Sequence, residues 1–292
     1  MVNRLLIIFL KKTHTYNIAD RIHKGYIKIR KKRIYRKSIR DIEKNGRFAK
    51  INLFGMNFIL DKKSLHDYGM YLELSRGNLY EVGTTNYIRN TLKKGSVFID
   101  LGSNNGYYTL IASKCVGNKG KVISIEANPE TYKRLLNNIS ENKLDNVLTY
   151  NIAISDYDGE ANIFLNPGDE DGLASIINKT EKYMVNKIKC YKISTILNDL
   201  NINKVDILKM DVEGSEINVL RGMDNIKIDK IIMEFNKDYL GTKDFNYLKE
   251  RYKISLLGDK KITAIEDFND LPMLSNLLLE DYNNLGSLKS VI

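Results

Sequence analysis

Four carboxylates close apolar runs in this chain. Asp100 follows Val97-Phe98-Ile99, Glu126 follows Val122-Ile123-Ser124-Ile125, Asp211 follows Ile207-Leu208-Lys209-Met210, and Glu234 follows Ile231-Ile232-Met233. Short apolar runs bounded by turn residues read as parallel strands covered on both faces. The carboxyl ends of such strands line the ligand crevice of an open α/β sheet, so these acids are expected on one rim. There they can accept hydrogen bonds from hydroxyls, hold a cation, or take a proton from a reacting group.

The residues after Asp100 narrow the chemistry. Gly102-Ser103-Asn104-Asn105-Gly106 is a turn between a strand and a helix expected over Tyr107 to Val116. Glycine there lets backbone N–H groups approach a ligand, and the helix N-terminus favours negative charge. Glu126 lies twenty-four residues beyond Gly102, the place where a second strand tip offers a carboxylate to both ribose hydroxyls. The turn is not G-x-G-x-x-G, since Asn104 stands between Gly102 and Gly106 and no third glycine follows at the required step. A pyrophosphate needs the missing middle glycine, whereas S-adenosyl-L-methionine carries no phosphate and tolerates a side chain there. NAD or FAD is the alternative that this spacing disfavours. On this reading Asp100 orders the turn and residues 102–106 pass beneath the methionine. Glu126 takes the ribose, Ala127 and Asn128 flank the adenine, and Ser155 with Asp156 reaches its edge.

Quoted as they stand, FIDLGSNNGYYTLIAS, VISIEANPETYKRLLNNISEN, AISDYDGEANIF and LKMDVEGSEINVLRGM occur in this order between about Glu81 and Asn236. This stretch resembles the FkbM family of S-adenosyl-L-methionine-dependent methyltransferases. The resemblance implies an α/β fold of class I methyltransferase type: a Rossmann-like, doubly wound sheet with a reversed last strand. It also implies O-methylation of a hydroxyl on a sugar, a glycan or glycolipid, or a small natural product. Glu81 matches a glutamate that family members carry before the first core strand, where it would close the site from above.

Methyl transfer to a hydroxyl requires alignment and removal of a proton. His14, His23 and His66 all precede the cofactor turn, which leaves the carboxylates as the candidate bases. Asp211 is the first choice for base or acceptor-orienting group, its other role being to hold the cofactor's amino group. Glu213 either acts on the acceptor or caps the helix starting near Ser215-Glu216. Glu234 comes to the same rim. Asp211, Glu234 and Asn236 are also oxygen ligands that suit Mg²⁺, but a hydrogen-bonded rim without a metal is preferred.

Charge divides the chain. Residues 1–50 hold 16 Lys/Arg against 3 Asp/Glu, a net of +13, while residues 51–292 hold 30 against 33, a net of −3. The expected organisation is a basic helical N-terminal extension over 1–50 and a methyltransferase domain over 51–292, with its core at about 81–267. Basic residues between 24 and 40 alternate with Ile and Tyr, a pattern that suits a helix packed on the domain, an anionic membrane surface or, ranked below these, nucleic acid. Leu5 to Leu10 is too short to span a bilayer and lacks a cleavage signal, so the expected location is cytoplasmic, in part at the membrane periphery. Cys115 and Cys190 have neither pairing nor metal spacing.

Elsewhere, residues 51–60 read as two strands turning at Gly55, residues 84–92 as a helix, and residues 252–265 as a hairpin taken to agree with the reversed strand. Residues 166–172 read as an acidic loop. Two rival functions are weighed. An RNA ribose methyltransferase would use the basic arm on phosphates, although the Lys-Asp-Lys-Glu arrangement expected of one is not evident. A non-catalytic cofactor-binding scaffold is opposed by the intact acidic rim.

Overall fold

The computed structural model describes residues 33–165, 174–175, 184–224 and 226–282 of the 292. A helix over 33–45 (α1) leads into a hairpin of β1 (Phe48–Leu53) and β2 (Met56–Asp61), turning at Gly55 as expected. β1 thus begins inside the segment read as the extension. Helices α2 (Leu65–Leu74) and α3 (Val82–Thr91) follow.

The core alternates strand and helix: β3 (Val97–Leu101), α4 (Tyr107–Val116), β4 (Lys121–Ile125), α5 (Pro129–Glu141) and β5 (Val147–Tyr150). A smaller sheet is then inserted, made of β6 (Ala153–Ile154), β7 (Gly159–Leu165), β8 (Ala174–Ser175) and β9 (Met184–Tyr191). The core resumes with α6 (Ile193–Asp199), β10 (Lys204–Met210), α7 (Glu216–Arg221), β11 (Lys227–Asn236), α8 (Thr242–Lys249), β12 (Tyr252–Leu257), β13 (Ile262–Ala264) and β14 (Leu274–Asp281).

The eight-stranded sheet runs β13-β12-β14-β11-β10-β3-β4-β5. Pairing is parallel from β11 through β10, β3 and β4 to β5, and antiparallel between β14 and both of its neighbours. Apolar residues cover both faces: Ile99, Leu101, Ile123 and Leu208 lie in one cluster, and Phe98, Val122, Ile207 and Ile232 in another.

Two expectations need correction. The hairpin of β12 and β13 exists, but the reversed strand is β14, which inserts between β11 and β12. The sheet therefore extends past 267, where the core was expected to end. The acidic loop at 166–172 and the basic residues before 33 lie outside the described residues.

The outer edge of β2 is sealed by two asparagines, one on α5 and one at its C-cap. Asn138 accepts from the Ile59 amide (2.7 Å) and donates to its carbonyl (3.1 Å), and Asn142 does the same at Asn57 (2.8 and 2.7 Å). Four residues of helix rise about 6 Å and two of strand about 6.6 Å, so an i, i+4 pair can serve alternate strand residues. Asn138 also donates to the Asn105 carbonyl (2.8 Å), which ties this layer to the first turn of the core. Among the described residues, no helix is long and apolar enough to cross a membrane.

Candidate active site

The turn after β3 is held from three sides. Gly102 and Ser103 both donate backbone N–H groups to the Ile125 carbonyl (2.9 and 3.0 Å). Fully buried Asp100 accepts from Thr109 Oγ1 (2.7 Å), and burial raises its carboxyl above the ordinary range. Gly102 has φ +72°, and a Cβ there would lie 1.8 Å from the Asp211 carbonyl oxygen. Only glycine lets the turn sit this close to the tip of β10, which places the cofactor turn directly beside the acidic rim.

Glu126 links the turn to α5. Its Oε2 accepts from the Asn104 amide and its Oε1 from the Asn128 amide, both at 2.8 Å. Asn104 adopts φ +50° to make its contact. Burial raises the Glu126 carboxyl to about 7, against the lowering effect of those two amides. Each oxygen retains acceptor capacity for a ribose hydroxyl.

The other expected cofactor residues are placed as follows. Asn128 is the N-cap of α5: its side-chain oxygen accepts from the Glu130 amide (3.0 Å), its own amide donates to Glu126 (2.8 Å) and its carbonyl accepts from the Tyr132 amide (2.8 Å). Ala127 packs against the inserted sheet. Ser155 is buried, donating to Asp156 Oδ1 (3.2 Å), and Asp156 is exposed. Asn105 turns its amide away, to Asp67 on α2 (2.8 Å).

The rim forms across β10, β11 and β14. Asn276 is the register partner of Glu234, and Asp211 follows Met210, which pairs with Met233. Lys209 is buried with its Nζ 3.4 Å from Asp211 Oδ2 and 5.1 Å from the centre of the Tyr108 ring. The Tyr108 hydroxyl donates to Glu81 Oε2 (2.6 Å), and Asn276 Nδ2 donates to the same oxygen (2.8 Å). Glu81 has φ +41°, a left-handed conformation that costs a non-glycine residue of order 1–3 kcal/mol and is typical of functional sites. Half-buried, it joins the start of α3 to α4 and β14 through these two hydrogen bonds.

Burial and the Asp211 charge push the Glu234 carboxyl up to about 9, with Glu213 and Glu81 adding to the effect and Lys209 opposing it. Carboxylates on either side raise Lys209 despite its burial. The pair divides accordingly: Glu234 carries a proton at neutral pH, while Asp211 is ion-paired. Glu216, rather than Glu213, ties down the turn after β10, its Oε1 accepting from the Val212 and Gly214 amides (3.1 and 3.2 Å). Glu213 takes φ +54° in that turn. Asn236 Oδ1 accepts from the Asp238 amide (2.9 Å), which engages its oxygen locally. Among the described residues, no group of three His, Cys, Asp or Glu is arranged to hold a metal ion. His66 meets Tyr80 edge-on, with Nε2 3.4 Å from the Tyr80 hydroxyl.

Lys209, Tyr108, Asn276 and Glu216 were not assigned from sequence. Lys209 had a signal, because a lysine inside Ile-Leu-Lys-Met must find a carboxylate when that strand is buried. Replacing it with methionine leaves Asp211 and Asp100 uncompensated, and a stability loss of about 3–5 kcal/mol is expected in urea unfolding. A loss below about 1 kcal/mol would refute the pairing.

The raised carboxyls also set a pH dependence. Glu126 and Glu216 (each to about 7) and Glu234 (to about 9) hold protons in the folded chain that the unfolded chain releases near 4.5. Folding stability should therefore fall as pH rises from about 4.5 through 7 and on towards 9. Thermal melts from pH 5 to 8.5 should show this fall, and Glu234→Gln should flatten its alkaline part.

Strand order, the reversed β14 and the ligand-facing turn after β3 together define a class I methyltransferase. The sequence profile described as "Methyltransferase FkbM domain" matches residues 100–254, just over half of the chain. The chain belongs to the FkbM methyltransferase family, whose methyl donor is S-adenosyl-L-methionine. It is 29% identical over 178 residues to the hexuronic acid methyltransferase AglP of Haloferax volcanii, an alignment covering 60% of this chain and 70% of that protein. Among solved structures, a SAM-dependent methyltransferase from Aquifex aeolicus aligns at TM-score 0.39 and 16% identity, covering 68% of this chain and 91% of the other. Fibrillarin from Aeropyrum pernix, with natively bound S-adenosyl-L-methionine, aligns at TM-score 0.39 and 14% identity, covering 68% and 73%.

The cradle fits such a donor. Asp100 Oδ1, Ser103 Oγ and Asn104 Oδ1 are buried around the turn with no hydrogen-bond partner, and both Glu126 oxygens retain acceptor capacity beside them.

Proposed function

We propose that this protein transfers a methyl group from S-adenosyl-L-methionine to a hydroxyl of a sugar or sugar-containing acceptor. The observation that carries this reading is the contact between the Gly102 turn and the Asp211 backbone, which sets a donor cradle and an acidic rim side by side. When bound, the sulfonium supplies an activated methyl group and a thioether leaving group.

The chain's own residues supply the rest. Residues 102–106 and Glu126 hold the donor, with Asn128 and Ala127 bounding the base and Ser155 and Asp156 at its edge. Asp211 would take the proton from the acceptor hydroxyl, whose oxygen would receive the methyl group that the sulfonium supplies as its thioether leaves. Lys209 holds Asp211 in place. Glu234, protonated at neutral pH, donates a hydrogen bond to a neighbouring acceptor oxygen, and Glu213 borders the entrance. A sugar suits this rim because it offers several hydroxyl donors to a set of acceptors. The similarity to a hexuronic acid methyltransferase supports the same substrate class.

Calorimetric titration with S-adenosyl-L-methionine, followed by transfer of labelled methyl to a panel of neutral and acidic glycans, tests the reading. Binding with methyl ethers formed on sugar hydroxyls is the expected result. Binding with transfer to RNA ribose would replace the acceptor, and absence of binding would overturn the whole reading.

A further inference from the structure

Helix α1 carries its cations on one side. At about 100° per residue, Arg33, Arg36, Lys37, Arg40 and Lys44 fall within roughly 100° of arc. All five are exposed. The opposite side is engaged with the fold: buried Ser38 donates to the Lys62 carbonyl, and Asp41 pairs with buried Lys62 (3.4 Å). Ile34 and Ile42 on that side are half-buried, while Tyr35 remains 49% exposed. The helix is thus pinned by one face with the other turned outwards.

That outward face repels itself. Residues three and four apart on a helix are neighbours, so 33/36, 33/37, 36/40, 37/40 and 40/44 are like-charge pairs. None of these five cations forms an ion pair with another described residue. Glu43, at the edge of the stripe, and Asp41, turned to Lys62, are the acids of this helix. The array lowers the helix's own stability, and an anionic surface laid against it would relieve the repulsion.

We propose that this stripe seats the protein on an anionic membrane surface. The row from Arg33 to Lys44 extends about 16 Å in a straight line, which suits the flat array of charges that lipid headgroups present. Phe48, just beyond the helix and 61% exposed, offers an aromatic ring suited to headgroup depth. A nucleic acid long enough to run from the stripe to the catalytic rim would bring its phosphates towards Glu81, Asp211 and Glu213.

The test is flotation of the full-length protein with vesicles of phosphatidylcholine alone and with about a third phosphatidylserine. Each Lys or Arg near an anionic leaflet strengthens partitioning about fivefold. Wild type should float with the anionic vesicles only and should be released as salt shortens the screening length. A variant carrying Arg33→Gln, Arg36→Gln, Lys37→Gln and Arg40→Gln, checked for an unchanged melting temperature, should lose several hundredfold in partitioning. Equal flotation with both vesicles, none with either, or undiminished flotation of the variant would each overturn the assignment. So would displacement from anionic vesicles by single-stranded RNA at matched phosphate concentration, which would assign the stripe to nucleic acid.

Discussion

Replacing Asp211 by asparagine is expected to lower methyl transfer by about 10²–10⁴-fold, the range for loss of a positioned base, with little change in donor affinity. Asparagine keeps an oxygen for the Lys209 ammonium, 3.4 Å away, while Asp100 and Glu81 still offset the charge of that lysine. What it removes is the capacity to accept a proton. Comparison of kcat with the calorimetric Kd separates this role from the other one open to Asp211, holding the donor's amino group. A fall in donor affinity matching the fall in kcat would move Asp211 from the reaction to the cradle. Glu234→Gln should be milder, since a group that already carries a proton at neutral pH is mimicked by an amide donor.

The second large effect is on binding. Glu126→Ala removes an acceptor for two ribose hydroxyls, and hydrogen bonds to a charged group contribute about 1.5–3 kcal/mol each. Donor affinity should fall by about 10²-fold or more. The same change frees the Asn104 and Asn128 amides, so part of the loss comes through a loosened turn. Glu126→Gln separates the parts, because it keeps one acceptor oxygen and the volume. Since burial raises Glu126 to about 7, donor binding by the ionised form should tighten as pH rises through 7. Affinity unchanged in Glu126→Ala would remove this residue from the site.

Much of this is legible in the sequence because its signals are local. The strands ending at Asp100, Glu126, Asp211 and Glu234 are short apolar runs, buried as such runs must be in a sheet covered on both faces. The turn 102–106 follows from its glycines.

What stayed hidden depends on distant pairing. Leu277-Leu278-Leu279 is too short an apolar run to separate strand from buried helix, so β14 could not be distinguished from the hairpin before it. Asn276 meets Glu81 across 195 residues of sequence, and no local pattern announces that contact. Asn105 lies in the expected turn, yet its amide serves Asp67 because α2 packs there. Glu213 and Glu216 both lie in or beside the acidic turn, and the reach of Glu216 back to the Val212 and Gly214 amides is set by the fold of the turn rather than by any local sequence signal.

The most direct test is product analysis after incubating wild type and Asp211→Asn with methyl-labelled S-adenosyl-L-methionine and an acceptor glycan. The account predicts a base-stable methyl ether on a sugar hydroxyl, formed by wild type and nearly lost in the variant. Label in a base-labile ester, or equal ether formation by the two proteins, would contradict it, since neither product would need Asp211 to take a proton from a hydroxyl.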